Sequence, residues 1–348
     1  MIKVISKQIA QDIILGSSVY STGGGLEYNG QIEKINKLFK GEAEIKIAKA
    51  EDFNDNDYVC TAYGVGSSAN TDFDFSSALQ NGFSVMQEIT KRKFVGIFAG
   101  ETNIEALMFE TAKVANLPLF DADCTGGRAV PEINFDNLFM AQKSILPLVA
   151  ITANGEVIIL KEAKNAGFIE ELVRSLCSLS KSPVAVLDHP ISVKEAKKHL
   201  TLGVFERSQK LGELIKKSET ADEGLKKIIF FTNAKNIFEG EINKIELKDK
   251  DGFLSGFYEV KNSSNICKIY VKNESLVCLV NNKVVLTCPD LIAVIDKKTA
   301  RGVHNSKIKK GQEVVVLGVK ATKLWRTKKA LETFNPKVLG LNFPTKLL

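Results

Sequence analysis

The order of strand-like and helix-like segments is the feature that most limits what this chain can fold into. Up to about residue 234, segments whose apolar residues recur at helical spacing alternate with short apolar runs typical of buried strands. From 237 to 319, nearly every segment is a short β-like run bounded by turn residues. Alternating strands and helices build a largely parallel sheet, whereas successive short strands build antiparallel ones. We therefore predict two domains, α+β overall: an α/β N-terminal domain (1–234) with a mostly parallel or mixed sheet, and a β-rich C-terminal domain (235–348).

Turn and capping residues place the individual elements. Ser6 can cap a helix that continues to about Tyr20, and Asn154-Gly155 supplies the turn of a hairpin between 145–152 and 156–160. One continuous helix is predicted from after Ser192 to about Lys216. The other predicted elements of the first domain are strands near 57–63, 94–99, 118–120 and 184–187, and helices near 76–91, 104–116 and 162–178.

Composition and charge exclude several classes of protein. Hydrophobic residues make up 44% and charged residues 25% of the 348 residues, as in globular chains and unlike disordered or coiled-coil ones. The net charge is +6, from 47 basic and 41 acidic side chains, but only six of the basic residues are arginine, which is favoured for reading phosphates and bases. The lysines are dispersed without interleaved aromatics, so we expect no nucleic-acid partner.

The sequence also argues against membrane insertion and secretion. No apolar run approaches the ~20 residues that span a bilayer, and the first residues lack the apolar region of a signal peptide. The expected location is cytoplasmic, with no membrane partner. The six cysteines are far apart, without a Cys-x-x-Cys pair, and there are only three histidines. Neither a disulfide framework nor a structural zinc site is therefore expected.

The segment most informative about function runs from Asp121 to Glu132 and follows a short strand of the buried type. In open α/β sheets ligands bind beyond the carboxyl ends of strands, so this segment has the position of a site. Its glycines allow the backbone to approach a ligand closely, and its arginine can hold an anionic group. A tight turn with Arg128 paired to a nearby aspartate is the structural alternative. The candidate residues are Asp121, Asp123, Cys124, Gly126, Gly127, Arg128 and Glu132.

A second strand end carries further candidates. Glu101 and Asn103 follow the predicted strand near 94–99. Because consecutive parallel strands usually lie near each other, Glu101 is expected to share a crevice with Asp121 and Asp123. A plain helix cap is the alternative interpretation of this segment.

Two glycine-containing loops offer backbone amides. Thr22, Gly23, Gly24 and Gly25 follow the first predicted helix, where one glycine suffices as a C-cap and the excess indicates close approach to a ligand or a hinge. No Gly-Lys-Ser/Thr follows, and the glycines come after a helix rather than before one, so no nucleotide cofactor is expected. The second loop, with Gly66 and Ser67, could bind a polar ring or a carboxylate, although its Gly-x-Gly is a weak signal.

Cys124 could be a nucleophile if a base or local positive potential activated it. No histidine is predicted nearby and the acidic neighbours would raise its pKa, so an inert small residue is the favoured interpretation. The three histidines, His189, His199 and His304, are isolated in the sequence and are interpreted as structural or solvated.

These motifs resemble the S-methyl thiohydantoin desulfurase-like family, which is linked to hydantoin utilisation. The resemblance rests on Thr-Gly-Gly-Gly at 22–25, Gly-Glu-x-Asn at 100–103 and, above all, the segment 121–132. It extends to 272–276, which includes Asn273 and Glu274, and to 288–296, and so covers nearly the whole chain. The chain departs from the family at Val303-His304-Asn305-Ser306, where a glutamate is usual.

The resemblance implies a two-domain protein that removes a sulfur substituent from a thiohydantoin ring with water. Such a reaction needs a base or metal-activated water, donors for charge developing on the ring, and an acid or cation that helps the thiol leave. The implied roles are hypotheses: Asp121 or Asp123 as base, Glu101 as a second carboxylate, Arg128 as charge stabiliser and the glycine amides as donors. A divalent metal ion is left open, with Asp121, Asp123 and Glu101 as candidate ligands.

Two alternatives stay open. One is a different hydrolase or lyase acting on a small cyclic amide, and the other is a non-catalytic partner or binding subunit of a hydantoinase-type system. We expect a small-molecule substrate and a homo-oligomer. The second domain could cover the crevice as a lid or pair with another subunit through an edge strand, and Asn273 and Glu274 bear on function only as part of a lid.

Overall fold

The computed structural model describes residues 2–40, 44–66, 75–250 and 252–348. Within these ranges the N-terminal part forms sheet A, a mixed sheet whose path is β1-β2-β5-β4-β3-β8-β6-β7, with β9 paired to β5. Its strands are β1 (Lys3–Ile5), β2 (Ile45–Ala48), β3 (Tyr58–Val65), β4 (Phe94–Ala99), β5 (Leu119–Asp123), β6 (Leu148–Ile151), β7 (Val157–Leu160), β8 (Val184–Ser192) and β9 (Thr201–Leu202).

Parallel pairing in the middle of sheet A sets where a site can form. Strands β2, β5, β4 and β3 are parallel neighbours, so their carboxyl ends lie along one edge. The helices of the chain are α1 (Lys7–Tyr20), α2 (Tyr28–Leu38), α3 (Phe75–Thr90), α4 (Glu105–Ala115), α5 (Asn137–Met140), α6 (Ala166–Ser180), α7 (Val193–His199), α8 (Val204–Lys216), α9 (Ala221–Thr232) and α10 (Lys328–Thr333).

The C-terminal part forms sheet B, whose strands pair antiparallel throughout the described residues. The alternation of buried and exposed positions along β12 is the period-two pattern of a half-buried strand. The strand order is β14-β13-β12-β11-β10-β17-β15-β16. The strands are β10 (Lys235–Lys250), β11 (Phe253–Lys261), β12 (Ile266–Lys272), β13 (Glu274–Val280), β14 (Lys283–Thr287), β15 (Leu291–Asp296), β16 (Arg301–Gly302) and β17 (Glu313–Val319).

A shared apolar core joins the two sheets. Leu15 and Val19 of α1 and Leu211 of α8 pack in one cluster with Leu276 and Leu317 of sheet B. Burial of this kind stabilises by about 25 cal/mol per Å² of apolar surface removed from water. The core therefore fixes the end of α1, and the glycine loop after it, against sheet B.

The predicted fold class is confirmed: sheet A is mixed and packed with helices, and sheet B is antiparallel. The first helix and the Asn154-Gly155 hairpin are also confirmed, since Ser6 Oγ accepts a hydrogen bond from Ile9 N and β6 pairs with β7. No helix in the described ranges has both the length and the apolar character needed to cross a membrane.

Two expectations about elements were wrong. The continuous helix after Ser192 is broken into α7 and α8, because β9 leaves the helical path to pair with β5 and Gly203 adopts a left-handed φ of 76°. The strand predicted near 118–120 continues to Asp123, so Asp121 and Asp123 lie within a buried strand rather than in the loop after it.

Candidate functional site

The edge of sheet A where the parallel strands end opens into a cavity of about 1210 Å³. Both sheets contribute to its wall. Glu101 follows β4, Cys124 follows β5 and Glu274 begins β13 of sheet B. The cavity is thus built by side chains that the shared core brings together from distant parts of the sequence.

Glu101 lies at the cavity wall with one carboxylate oxygen anchored. Its Oε2 accepts a hydrogen bond of 2.8 Å from Val130 N. Burial raises the pKa of Glu101 to about 8; the Val130 bond opposes this shift, and the charge of Asp123 adds to it. Glu101 is therefore mainly in its neutral form at pH 7, in which a carboxyl group can donate a proton.

Glu274 is the second carboxyl group at the cavity and comes from sheet B. Burial raises its pKa well above the ordinary value, and the charge of Glu101 raises it further. Its Oε2 is buried without a hydrogen-bond partner in the described part of the chain. A buried polar atom of this kind costs free energy unless a ligand or water satisfies it. Two carboxyl groups with raised pKa values therefore line the same cavity.

The cavity wall also holds a thiol, an imidazole and a carboxylate. One potential ligand atom from each of Cys124, Asp136 and His189 lies within 4.8 Å of the other two, and all three residues are buried and line the cavity. His189 Nε2 is 3.1 Å from Asp136 Oδ2. Cys124 Sγ donates to Gly100 O at 3.0 Å. Burial and the charges of Asp136 and Asp188 raise the pKa of the Cys124 thiol.

A bulge in β8 aims His189 at this cluster. The register of β8 against β3 shifts between Val59 and Thr61, and the three steps from Asp188 to Ile191 oppose two steps on β3. His189 sits in this bulge at φ 53°, a left-handed conformation that is uncommon for residues other than glycine. Bulges next to active sites re-aim side chains in this way. The expectation that no histidine lies near Cys124 was therefore wrong, because the bulge is not visible in the sequence pattern.

Two further residues orient the His189 ring. Asp188 Oδ1 is 2.5 Å from His189 Nδ1, and Tyr63 donates its hydroxyl proton to Asp188 Oδ2 at 2.5 Å. Burial lowers the pKa of His189, but the charges of Asp188 and Asp136 outweigh this effect and raise it to about 10. The ring is thus fixed in position by a chain of polar groups that runs from Tyr63 to Asp136.

The structure places Asp121 and Asp123 in supporting positions, outside the described cavity lining. Asp121 accepts hydrogen bonds from Phe205 N at 2.7 Å and Glu206 N at 3.2 Å, at the start of α8. Asp123 accepts from Gly127 N at 2.9 Å and from Thr102 Oγ1 at 3.0 Å. Their oxygens hold the backbone, whereas Glu101 and Glu132 are sequence-predicted carboxylates of this edge that line the cavity.

The rest of the segment 121–132 mainly holds the loop. Arg128 is buried, with Nε bonded to Ala129 O and Nη1 to Pro289 O, which connects the segment to sheet B. Gly126 and Gly127 have left-handed φ values of 76° and 73°, and a Cβ on Gly127 would lie 2.4 Å from Arg207 Nη2. The Gly127 amide is occupied by Asp123 rather than directed to a ligand. Glu132 lines the cavity and forms an ion pair with Lys272.

The glycine loop after α1 is fixed by bonds to both sheets. Asn103 donates from Nδ2 to Gly24 O at 2.8 Å, and Ser275 N donates to Thr22 O at 2.7 Å. Gly23 O accepts from Asn305 N at 2.8 Å. Of the predicted ligand-binding residues, Gly25, Gly66, Cys124, Asn273 and Glu274 line the cavity, whereas Ser67 lies outside the described residues.

Comparisons with known proteins identify the family and the fold. Family models described as S-Me-THD-like, N-terminal domain, and S-Me-THD-like, C-terminal domain, match residues 8–162 and 163–348. The chain belongs to the S-Me-THD-like family. The crystal structure of a protein from Chromobacterium violaceum has the same fold, with a TM-score of 0.83 at 16% identity over 99% of each chain. No curated protein matches this S-Me-THD-like chain.

Sequence reasoning missed four residues at the site of this S-Me-THD-like protein: Tyr63, Asp136, Asp188 and His189. The adjacent pair Asp188-His189 before Pro190, at the end of a strand-like run, was the available signal. Nothing in the spacing linked that pair to Cys124, because the pair lies 64 and 65 positions further along the chain, with several elements in between.

Proposed function

We propose that this chain removes a sulfur substituent from a thiohydantoin-type small cyclic amide by hydrolysis. Membership of the S-Me-THD-like family supports the substrate class. The observation that carries the proposal is the pair Glu101 and Glu274, whose pKa values are both raised, facing the cavity that Cys124 and His189 also line. Raised pKa values in a cleft are typical of groups that transfer protons in catalysis.

The reaction requires one bond to form and one to break. Water oxygen bonds to the ring carbon that carries sulfur, and the carbon–sulfur bond then breaks. One proton of the water ends on the departing thiolate and the other on the adjacent ring nitrogen. Glu101 in its neutral form donates its proton to the leaving sulfur, and the carboxylate that results then takes up the proton of the hydroxyl group that the added water left on the ring carbon, which restores neutral Glu101. Glu101 therefore begins and ends the cycle with its proton, and no net charge is left in the cavity.

Glu274 completes the arrangement from the second sheet. In its neutral form it donates one hydrogen bond and accepts others, which suits the alternating N–H and C=O groups of a cyclic amide. Its Oε2 has no hydrogen-bond partner in the described structure and so has capacity for such a ligand. A site built to hydrogen-bond a ring discriminates strongly against analogues that lack the partner group.

The test is an assay of thiol release from S-methyl thiohydantoin, with hydantoin identified by mass spectrometry, run with and without added divalent metal ions, Zn²⁺ among them. We expect thiol and hydantoin in equal amounts from the wild type. The variant Glu101→Gln is expected to lose at least a hundredfold in kcat/KM, within the range that removal of a proton-transfer group produces. Glu274→Leu removes the groups that hydrogen-bond the ring and is expected to lose at least as much. Glu332→Gln, at an exposed carboxyl group on α10, is the matched control and should be unaffected.

Binding without turnover would contradict the proposal. If isothermal titration detects the ring compound while no thiol appears with or without Zn²⁺, a binding subunit of a hydantoinase-type system becomes the better interpretation. Unchanged turnover in both variants would reject the assigned roles of Glu101 and Glu274.

A further inference from the structure

We infer that Cys124, Asp136 and His189 bind a divalent metal ion of the zinc class at the cavity wall. One atom from each lies within 4.8 Å of the other two. In a tetrahedral site, two ligands about 2.0–2.1 Å from zinc lie roughly 3.3 Å apart. The 3.1 Å between His189 Nε2 and Asp136 Oδ2 is close to that separation. A thiolate, an imidazole and a carboxylate together favour zinc-class ions over magnesium or calcium.

The surroundings of the cluster are those of ligands held in place. Histidines that bind metals almost always donate the other ring N–H to a carboxylate or carbonyl. His189 Nδ1 lies 2.5 Å from Asp188, whose second oxygen accepts from Tyr63. The two carboxylate oxygens of Asp136 also have different partners. Oδ1 accepts a hydrogen bond from Leu138 N at 2.6 Å, and Oδ2 lies 3.1 Å from His189 Nε2. The ligand atoms of His189 and Asp136 are thus each oriented by a hydrogen bond at the other polar atom of the same side chain.

The backbone at His189 is a second, independent indication. A left-handed φ of 53° at a non-glycine residue in a bulge is a conformation that the surrounding structure has to stabilise. Core packing alone does not require this left-handed conformation, because an apolar residue with ordinary strand dihedral angles could fill the same buried position. The strained bulge turns the imidazole toward Cys124 and Asp136 instead.

The position of the cluster also fits a reactive metal rather than a structural one. Catalytic zinc sites have three protein ligands and leave the fourth position open, whereas structural sites are closed by four. All three residues line the cavity, so the open position would face the space that a substrate occupies. As a Lewis acid, the ion would lower the pKa of the water that the proposed hydrolysis consumes. This part of the inference rests on the proposed function.

Metal binding is measured without substrate. Protein stripped with a chelator and dialysed is titrated with Co²⁺, followed by Zn²⁺. We expect one Co²⁺ per chain, with sulfur-to-cobalt charge-transfer absorption that Zn²⁺ abolishes. Cys124→Ser should remove that absorption, and Asp136→Asn and His189→Gln should each weaken binding at least tenfold. Cys177→Ser changes a half-buried cysteine outside the cluster and should leave binding unchanged.

A measurement on the wild type keeps the test valid if a variant fails to fold. X-ray absorption of the zinc-loaded protein should show one sulfur at about 2.3 Å with nitrogen or oxygen neighbours at about 2.0–2.1 Å. Absence of a sulfur neighbour, substoichiometric binding, or unchanged cobalt absorption in Cys124→Ser would each overturn the inference.

The two proposals can fail separately. Stoichiometric zinc with this ligand set but no thiol release would retain the metal site and reject the hydrolysis. Thiol release at the full rate by metal-free protein would reject the role of the ion and retain the hydrolysis.

Discussion

Glu274 Oε1 lies where a side chain on Gly24 would have to be: a Cβ built on Gly24 would be 2.0 Å from that oxygen. Gly24 belongs to the loop after α1, and Glu274 begins a strand of sheet B. The backbone of one domain is therefore in close contact with a carboxyl group of the other at the cavity wall. This contact gives a physical reason for glycine at position 24.

Substitution of Gly24 tests this contact. Gly24→Ala should push the Glu274 carboxyl group out of position, because a Cβ contact of 2.0 Å cannot be accommodated without movement. We expect kcat/KM for thiol release to fall at least tenfold, since misplacement by about 1 Å can cost a hundredfold in rate. Steady-state kinetics on the purified variant measures the effect.

Gly167→Ala is the matched control. Gly167 lies in the first turn of α6, and a Cβ there would have only Asn165 Oδ1 at 3.4 Å, an ordinary contact. Turnover by this variant should equal that of the wild type. Equal losses in the two alanine variants would mean that the contact with Glu274 does not matter for activity.

The raised pKa of Glu101 predicts a pH dependence of the rate. If the neutral form donates the proton, the rate should fall above pH 8, by tenfold per pH unit once the group is mostly ionised. Glu101→Gln should lose most activity at every pH and should lack this limb. A pH profile of kcat for the wild type that stays flat between pH 7 and 10 would be inconsistent with the assigned role.

The same group predicts a pH dependence of stability. The pKa of Glu101 is higher in the folded chain than its ordinary value of 4.5, so the folded state holds the proton more tightly. The favourable contribution is complete below about pH 4.5 and is lost as the pH rises through about 8. Relative to the wild type, Glu101→Gln should gain stability over this interval and show a constant difference above it. Denaturant unfolding at several pH values measures the difference, and a difference independent of pH would contradict the assignment.

Asp121 is expected to matter for stability rather than for chemistry. Gly203 is the N-cap of α8 and has no side chain to bond the first amides, so Asp121 of β5 accepts from Phe205 N and Glu206 N instead. Loss of a helix cap costs about 1 kcal/mol, and up to about 2 in favourable cases. Asp121→Ala should lower the free energy of unfolding by that amount and leave kcat unchanged. Thr220→Ala, at the cap of α9, is the control of the same kind.

Much of the fold could be predicted from local patterns. Apolar periodicity and the cap at Ser6 predicted α1, and Asn154-Gly155 predicted the β6–β7 hairpin, because both signals lie within a few residues. The break between α7 and α8 could not be predicted in this way. It depends on β9 pairing with β5, which is a contact between residues about 80 positions apart.

The candidate site was predictable to a smaller extent. Glu101, Cys124 and Glu274 were identified from strand ends and from the family resemblance, and all three line the cavity. His189 was missed because a bulge, rather than a periodic pattern, aims its ring at Cys124. Asp121 was placed among the catalytic candidates because an aspartate near a strand end has the same sequence signature whether it binds a ligand or caps a distant helix.

The most direct test of the central claim is the fate of water oxygen during turnover. S-methyl thiohydantoin is incubated with zinc-supplied wild-type protein in ¹⁸O-labelled water, and thiol and hydantoin are quantified together by mass spectrometry. Hydrolysis at the ring carbon predicts one ¹⁸O atom in the hydantoin for each thiol released, and at least a hundredfold less release from Glu101→Gln. Thiol release without ¹⁸O in the ring, or no release from a wild type that binds the ring compound, would contradict the account.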